Sequence, residues 1–171
     1  MGINTGVGRS RMARRGMIVA AALAALAGTS TPVAGQAPTA SSGPGVTREA
    51  FTTLSWLEGR WKGSGGGYDA FFEEYRILDG TTIQQRTFPD STFATPDGVS
   101  TIEWSADGAF KRRGGTTEAV VAWISGDTVR FEPRSPGRQG FTWLRVSGDE
   151  WRAVLEGRNG TVVYTLVRFG R

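Results

Sequence analysis

Glu73-Glu74, Glu74 with Arg86 and Arg145, and the glycine run "GSGGG" at 63–67 are the places where residue types and spacing suggest chemistry. Adjacent carboxylates serve acid–base work when they share a site. In a strand, neighbours point to opposite faces, so Glu73 and Glu74 cannot share one. A phosphate-binding glycine loop needs a strand before it, a helix after it and Lys-Ser/Thr at its close. Here Lys62 precedes the glycines, and "YDAFFEEY" follows with the alternation of a strand. The run therefore reads as a flexible hairpin after a strand "GRWKG" whose Trp61 points into a core.

Absent residue types narrow the field further. The chain has no His and no Cys, and its Met residues are Met1, Met12 and Met17. No Ser-His-Asp or Cys-His nucleophile system can be assembled. The usual ligands for zinc, copper and haem are missing beyond residue 17, so no cofactor is expected. A disulfide framework is excluded as well.

The elements that would position any site begin after a leader. Arg9, Arg11, Arg14 and Arg15, the apolar run "GMIVAAALAALAG" at 16–28 and the small residues of "TPVAGQAPTA" follow the order of a secretory signal peptide. This reading assigns 1–35 to a signal cleaved near 35–37 and the protein to the periplasm or the exterior. It leaves open the export route and whether Met1 or Met12 is the start. Four of the 20 Lys+Arg then leave with the leader, and the remainder balances the 16 Asp+Glu. A balanced chain gives no argument for nucleic acid, which needs a clustered basic face, and no membrane association is expected after cleavage. The basic run "KRR" at 111–113 reads as a solvated hairpin end beside Gly114-Gly115. Residues 36–46 read as a flexible leader and 47–171 as one domain.

Within that domain "TREAFTTLSWL", 47–57, reads as a short helix capped by Thr47. Asp-Gly, Gly-Gly, Ser-Gly-Asp and Asn-Gly turn signals then separate about ten β-rich runs. Hairpins with no room for crossover helices mean antiparallel neighbours. The expected fold is all-β: a roughly ten-stranded antiparallel up-and-down barrel with a short N-terminal helix, since closure removes unpaired edges. A β-sandwich is the alternative.

Gly59-x-Trp61 after a short helix resembles the opening of lipocalin-type (calycin) barrels. The stretch 56–87 is more closely similar to an uncharacterised bacterial secreted family with a Trp-Leu-x-Gly-x-Trp-x-Gly opening. Trp56, Leu57, Gly59, Trp61, Gly63, Glu73, Glu74, Tyr75, Gly80, Arg86 and Thr87 carry that resemblance. Nitrobindin-like barrels open similarly but hold haem through a histidine, which this chain lacks. The resemblance implies a barrel and brings no activity.

A small barrel can enclose one ligand. Trp61, Trp104, Trp143 and Tyr164 are candidate aromatic walls, and Glu74, Arg86 and Arg145 candidate inward polar groups. Such a cavity would suit a small apolar or amphipathic molecule with an acidic head. No catalytic residue is assigned. An isomerase- or cyclase-type cavity enzyme using Glu and Arg or Tyr, and a structural or protein-interaction module, stay open as alternatives, as does oligomeric state.

Overall fold

The computed structural model describes residues 45–170. The expected leader, 1–35, lies outside the described residues. Thr47 caps the first helix as expected, its hydroxyl accepting from the Ala50 N–H at 3.1 Å. Helix α1 spans Arg48–Thr52 and tightens into a 3₁₀ turn over Thr53–Leu57. Phe51, Leu54 and Leu57 are buried along its inner side. Packing begins at Val46, inside the stretch read as a flexible leader. The Val46 carbonyl accepts the Trp104 indole N–H at 2.7 Å.

Ten strands follow: β1 Gly59–Gly65, β2 Tyr68–Asp79, β3 Thr82–Phe88, β4 Gly98–Ser105, β5 Gly108–Arg113, β6 Thr116–Ser125, β7 Thr128–Pro133, β8 Phe141–Arg145, β9 Glu150–Gly157 and β10 Gly160–Arg168. Each pairs antiparallel with its sequence neighbour, and β10 returns to β1 through Trp61↔Arg168 and Lys62↔Val167. The result is a closed up-and-down barrel, with no free edge among the described strands.

The Gly-x-Trp opening has a direct physical basis. Trp61 is fully buried and donates its indole N–H to the Leu57 carbonyl at 2.7 Å, tying β1 to the end of the helical segment. The Arg168 guanidinium lies 4.3 Å from the Trp61 ring centre and donates to the Glu58 carbonyl at 2.9 Å. Gly59 has φ 125°, and a side chain there would collide with Arg168. Glycine and tryptophan are thus two halves of one closure.

The glycine run divides between strand and turn. β1 continues through Gly65, and only Gly66 and Gly67 lie in the turn before β2. Gly63 belongs in the strand because the Phe71 ring of β2 occupies the space that a Cβ would need.

Candidate functional site

Along β2, Phe71, Glu73 and Tyr75 share the inner face, and Phe72, Glu74 and Arg76 the outer one, as strand alternation requires. On the paired strand β3, Gln85 and Thr87 are inward. Lys111 and Arg113 enter from β5, Phe141 and Trp143 from β8, Trp151 and Ala153 from β9, and Tyr164 and Leu166 from β10. Together these strands enclose a cavity of about 390 Å³. Its volume falls within the range of small-molecule pockets.

The deep wall is aromatic. Trp151 lies at its centre, with ring centroids 5.2 Å from Trp143, 5.9 Å from Tyr75 and 6.1 Å from Trp61. Phe131 stacks on Phe141 at 4.5 Å, and Tyr164 meets Phe71 edge-on at 5.6 Å. These offset and T-shaped pairs are the arrangements that ring quadrupoles favour.

Set into this apolar wall is a polar cluster that is almost wholly buried. The Tyr75 hydroxyl donates to Glu73 Oε2 at 2.8 Å. Ser100 Oγ donates to Gln85 Oε1 at 2.8 Å, and Lys111 Nζ donates to Ser100 Oγ at 2.9 Å and to Gln85 Oε1. The Trp143 ring centre is 5.7 Å from Lys111 Nζ. Burial pushes the Glu73 carboxyl up, against the Tyr75 hydrogen bond and the Lys111 charge that pull it down. Burial pulls Lys111 down to about 8, against the charges of Glu73 and Glu118. Tyr75 is pushed well above the usual phenol value by burial and by the Glu73 charge. At one end of the lining, Arg113 of β5 pairs with Glu118 of β6 at 3.2 Å.

Of the residues singled out in the sequence, Trp143 and Tyr164 line the cavity. Trp61 lies behind Trp151 in the core, outside the lining. Trp104 is committed to the Val46 carbonyl near the helix, also outside it. Arg145 pairs with Asp127 at 3.4 Å on the exterior.

Glu74 and Arg86 require the main correction. Both are on the outer face, because their strand neighbours Glu73, Tyr75, Gln85 and Thr87 fill the inner one. Glu74 sits among three arginines, with Arg60 at 3.1 Å, Arg76 at 2.9 Å and Arg86 at 3.1 Å. Burial pulls its carboxyl up, but the hydrogen bonds of Arg76 and Arg60 outweigh that and hold it lowered. Beside this ion cluster, Phe72, Phe88, Phe93 and Phe169 form a second aromatic group outside the barrel. The Arg60 guanidinium lies 4.8 Å from the Phe93 ring centre. Arg86 is thus the structural partner of Glu74, not a cavity arginine. Arg86→Ala is expected to cost about 1 kcal/mol, the scale of a partly exposed ion pair. It should leave ligand affinity in the cavity unchanged. Thermal melting and a ligand titration of the variant check both parts.

The "KRR" run is the second correction. Lys111 is not solvated: it follows Ala109 on the inner face of β5, two residues along, and lies 8 % exposed. The inward polar residues missed in the sequence therefore include Glu73, Tyr75, Gln85 and Lys111. The usable signal was period two, since Glu73 and Tyr75 share a face with Phe71, and Lys111 with Ala109.

No family model matches the chain. No curated protein matches it either. Among solved structures, a crystal structure of a mutant of the fluorescent protein UnaG aligns with TM-score 0.43 and 16 % identity. That alignment spans 69 % of this chain and 99 % of the other. A redesigned β-barrel aligns with TM-score 0.33 and 14 % identity, over 70 % of this chain and 96 % of its own. The register of the ten strands, and neither likeness, establishes the fold.

Proposed function

We propose that the barrel binds one small, mostly apolar molecule carrying a polar group, enclosed by the aromatic wall with the polar group toward Lys111 and Glu73. The observation that carries this reading is the cavity of about 390 Å³, whose apolar lining is interrupted by a buried amine and a buried carboxyl. Burying ionisable groups costs several kcal/mol each and adds little to stability. A packed barrel would close this space with aliphatic side chains. Groups held in an open cavity at that cost are suited to a partner that enters it.

Trp143 and Trp151 line the wall and report on occupancy. Tryptophan fluorescence titrated with aryl alcohols, aryl aldehydes and fatty acids is expected to show saturable one-to-one quenching. Ala153 lies on the cavity wall between its register partners Trp143 and Tyr164. Ala153→Phe should occupy part of the space without replacing a polar group and weaken binding at least tenfold. Quenching that is unsaturable, or unchanged by Ala153→Phe, would show that the cavity is not the site.

A further inference from the structure

The sequence contains two lysines, Lys62 and Lys111, among its 20 Lys+Arg. Lys62 lies exposed on β1. Lys111 is the buried one, on the cavity wall. A chain that uses arginine for almost every cation has, among the described residues, a lysine as its one buried cationic residue. The two residues differ chemically: an amine can lose its proton and act as a nucleophile, and a guanidinium cannot at any ordinary pH.

We propose that Lys111 is a covalent capture site, its amine condensing reversibly with the carbonyl carbon of an aldehyde or ketone held in the cavity to give a Schiff base. This rests on the cavity-binding reading above and assigns it a class of ligand. Two N–H bonds of Lys111 are directed, to Gln85 Oε1 and to Ser100 Oγ. A neutral amine has two N–H bonds and one lone pair. With both N–H bonds donated, the lone pair takes the remaining position. In the ammonium form that position holds a third N–H, for which no acceptor is found among the described residues. Gln85 and Ser100 do not need the lysine to satisfy each other, because Ser100 Oγ already donates to Gln85 Oε1. The pair acts as an aiming device for the amine.

The charged and titratable groups facing Lys111 are Glu73 and Tyr75 from β2, Glu118 from β6 and Arg113 on its own strand. Burial prevails over the two carboxylates and brings the amine to about 8. At neutral pH about a tenth of the molecules then hold the free base, against well under a thousandth for an ordinary lysine.

The step balances without an oxidant or reductant. The Nζ lone pair forms the C–N bond as the carbonyl π pair moves onto oxygen. A proton transferred from nitrogen to that oxygen gives the carbinolamine. A second proton on the oxygen lets it leave as water, the nitrogen lone pair forms C=N, and a proton returns to the donor. Glu73, on the same cavity wall, is the group that takes the proton the Lys111 ammonium gives up, lends it to the departing oxygen and recovers it from the iminium nitrogen. Hydrolysis is the reverse, so capture is reversible.

The test uses cinnamaldehyde with sodium cyanoborohydride at pH 7.5, followed by peptide mass spectrometry. Lys111 is expected to take up one reduced adduct per chain, at least tenfold faster than the exposed Lys62. Lys111→Arg and Lys111→Met should abolish the fast adduct while leaving Lys62 labelling as it was. Ala153→Phe should slow the Lys111 adduct by excluding the probe. Labelling of Lys111 no faster than Lys62, or fast labelling that survives Ala153→Phe unchanged, would overturn the proposal. Cinnamyl alcohol, of the same shape without a carbonyl, separates the two readings. Saturable quenching by the alcohol with no Lys111 adduct from the aldehyde overturns the covalent step alone. Absence of both overturns the covalent step and the cavity-binding reading together.

Discussion

Trp61→Ala is expected to destabilise the barrel by about 3–5 kcal/mol, as truncation of a large, wholly buried aromatic side chain does. Three contacts disappear at once. The edge-to-face packing on Trp151 at 6.1 Å is lost, and with it support for the cavity's aromatic wall. The Leu57 carbonyl loses its indole donor while its residue stays buried, and an unsatisfied buried acceptor adds its own penalty. Arg168, which spans from the Trp61 ring to Glu58 and Gly148, loses the surface it lies on. The fall in melting temperature should be on the order of 10 °C or more. Trp61→Phe keeps a ring but no N–H and should lie between the two. Thermal and denaturant unfolding of both variants checks the ranking. A loss under about 1 kcal/mol for the alanine variant would mean that Trp61 does not hold β1 to the helical segment.

The double variant Glu73→Gln/Lys111→Met is expected to be more stable than the wild type, by about 1–4 kcal/mol near pH 7. Glutamine keeps an acceptor for the Tyr75 hydroxyl, and methionine keeps much of the lysine's volume. Ser100 Oγ still has Gln85 as its acceptor. What goes is the cost of two buried charges, and the pH dependence follows from their shifts. The Lys111 pKa is lowered from 10.5 to about 8, so between those values the folded state binds fewer protons than the unfolded state. Wild-type stability therefore rises with pH across that window, and its penalty is full only below about 8. The Glu73 pKa is raised above 4.5, so its penalty is absent below that value and grows as pH rises through the folded value. The advantage of the double variant should then be largest between the two windows, narrowing on the acid side as Glu73 takes its proton and on the alkaline side as Lys111 loses one. Denaturant unfolding at pH 4, 7 and 10 measures it. A double variant less stable than wild type at pH 7 would show that the pair holds the barrel together.

Much of the architecture follows from local chemistry. Thr47 as a cap, Asn-Gly and Asp-Gly turns and runs of β-branched and aromatic residues mark one helix and ten strands without reference to distant contacts. Hairpin after hairpin admits only antiparallel neighbours, and closure follows from the cost of leaving edges unpaired. Gly59-x-Trp61 marks the place where β10 meets β1, because that spacing leaves room for Arg168 beside a buried indole.

The candidate site was harder to read, for a definite reason. Alternation sorts the residues of a strand into two sets, and when both sets carry bulky and charged groups it does not say which set faces inward. Glu73 and Glu74 are chemically identical neighbours, and only the barrel's curvature puts one in the cavity and the other among Arg60, Arg76 and Arg86. Arg60 and Arg86 reach Glu74 from β1 and β3, so their pairing exists only once the three strands are in register. Lys111 belongs to a basic run that would be solvated in an isolated hairpin. It is buried because β2, β3, β4 and β8 bring Glu73, Gln85, Ser100 and Trp143 around it. The strands and their order are legible in the residues themselves, since turns and alternation depend on positions only a few apart. Tertiary structure alone decided which face became the interior, because the interior exists only when β10 meets β1.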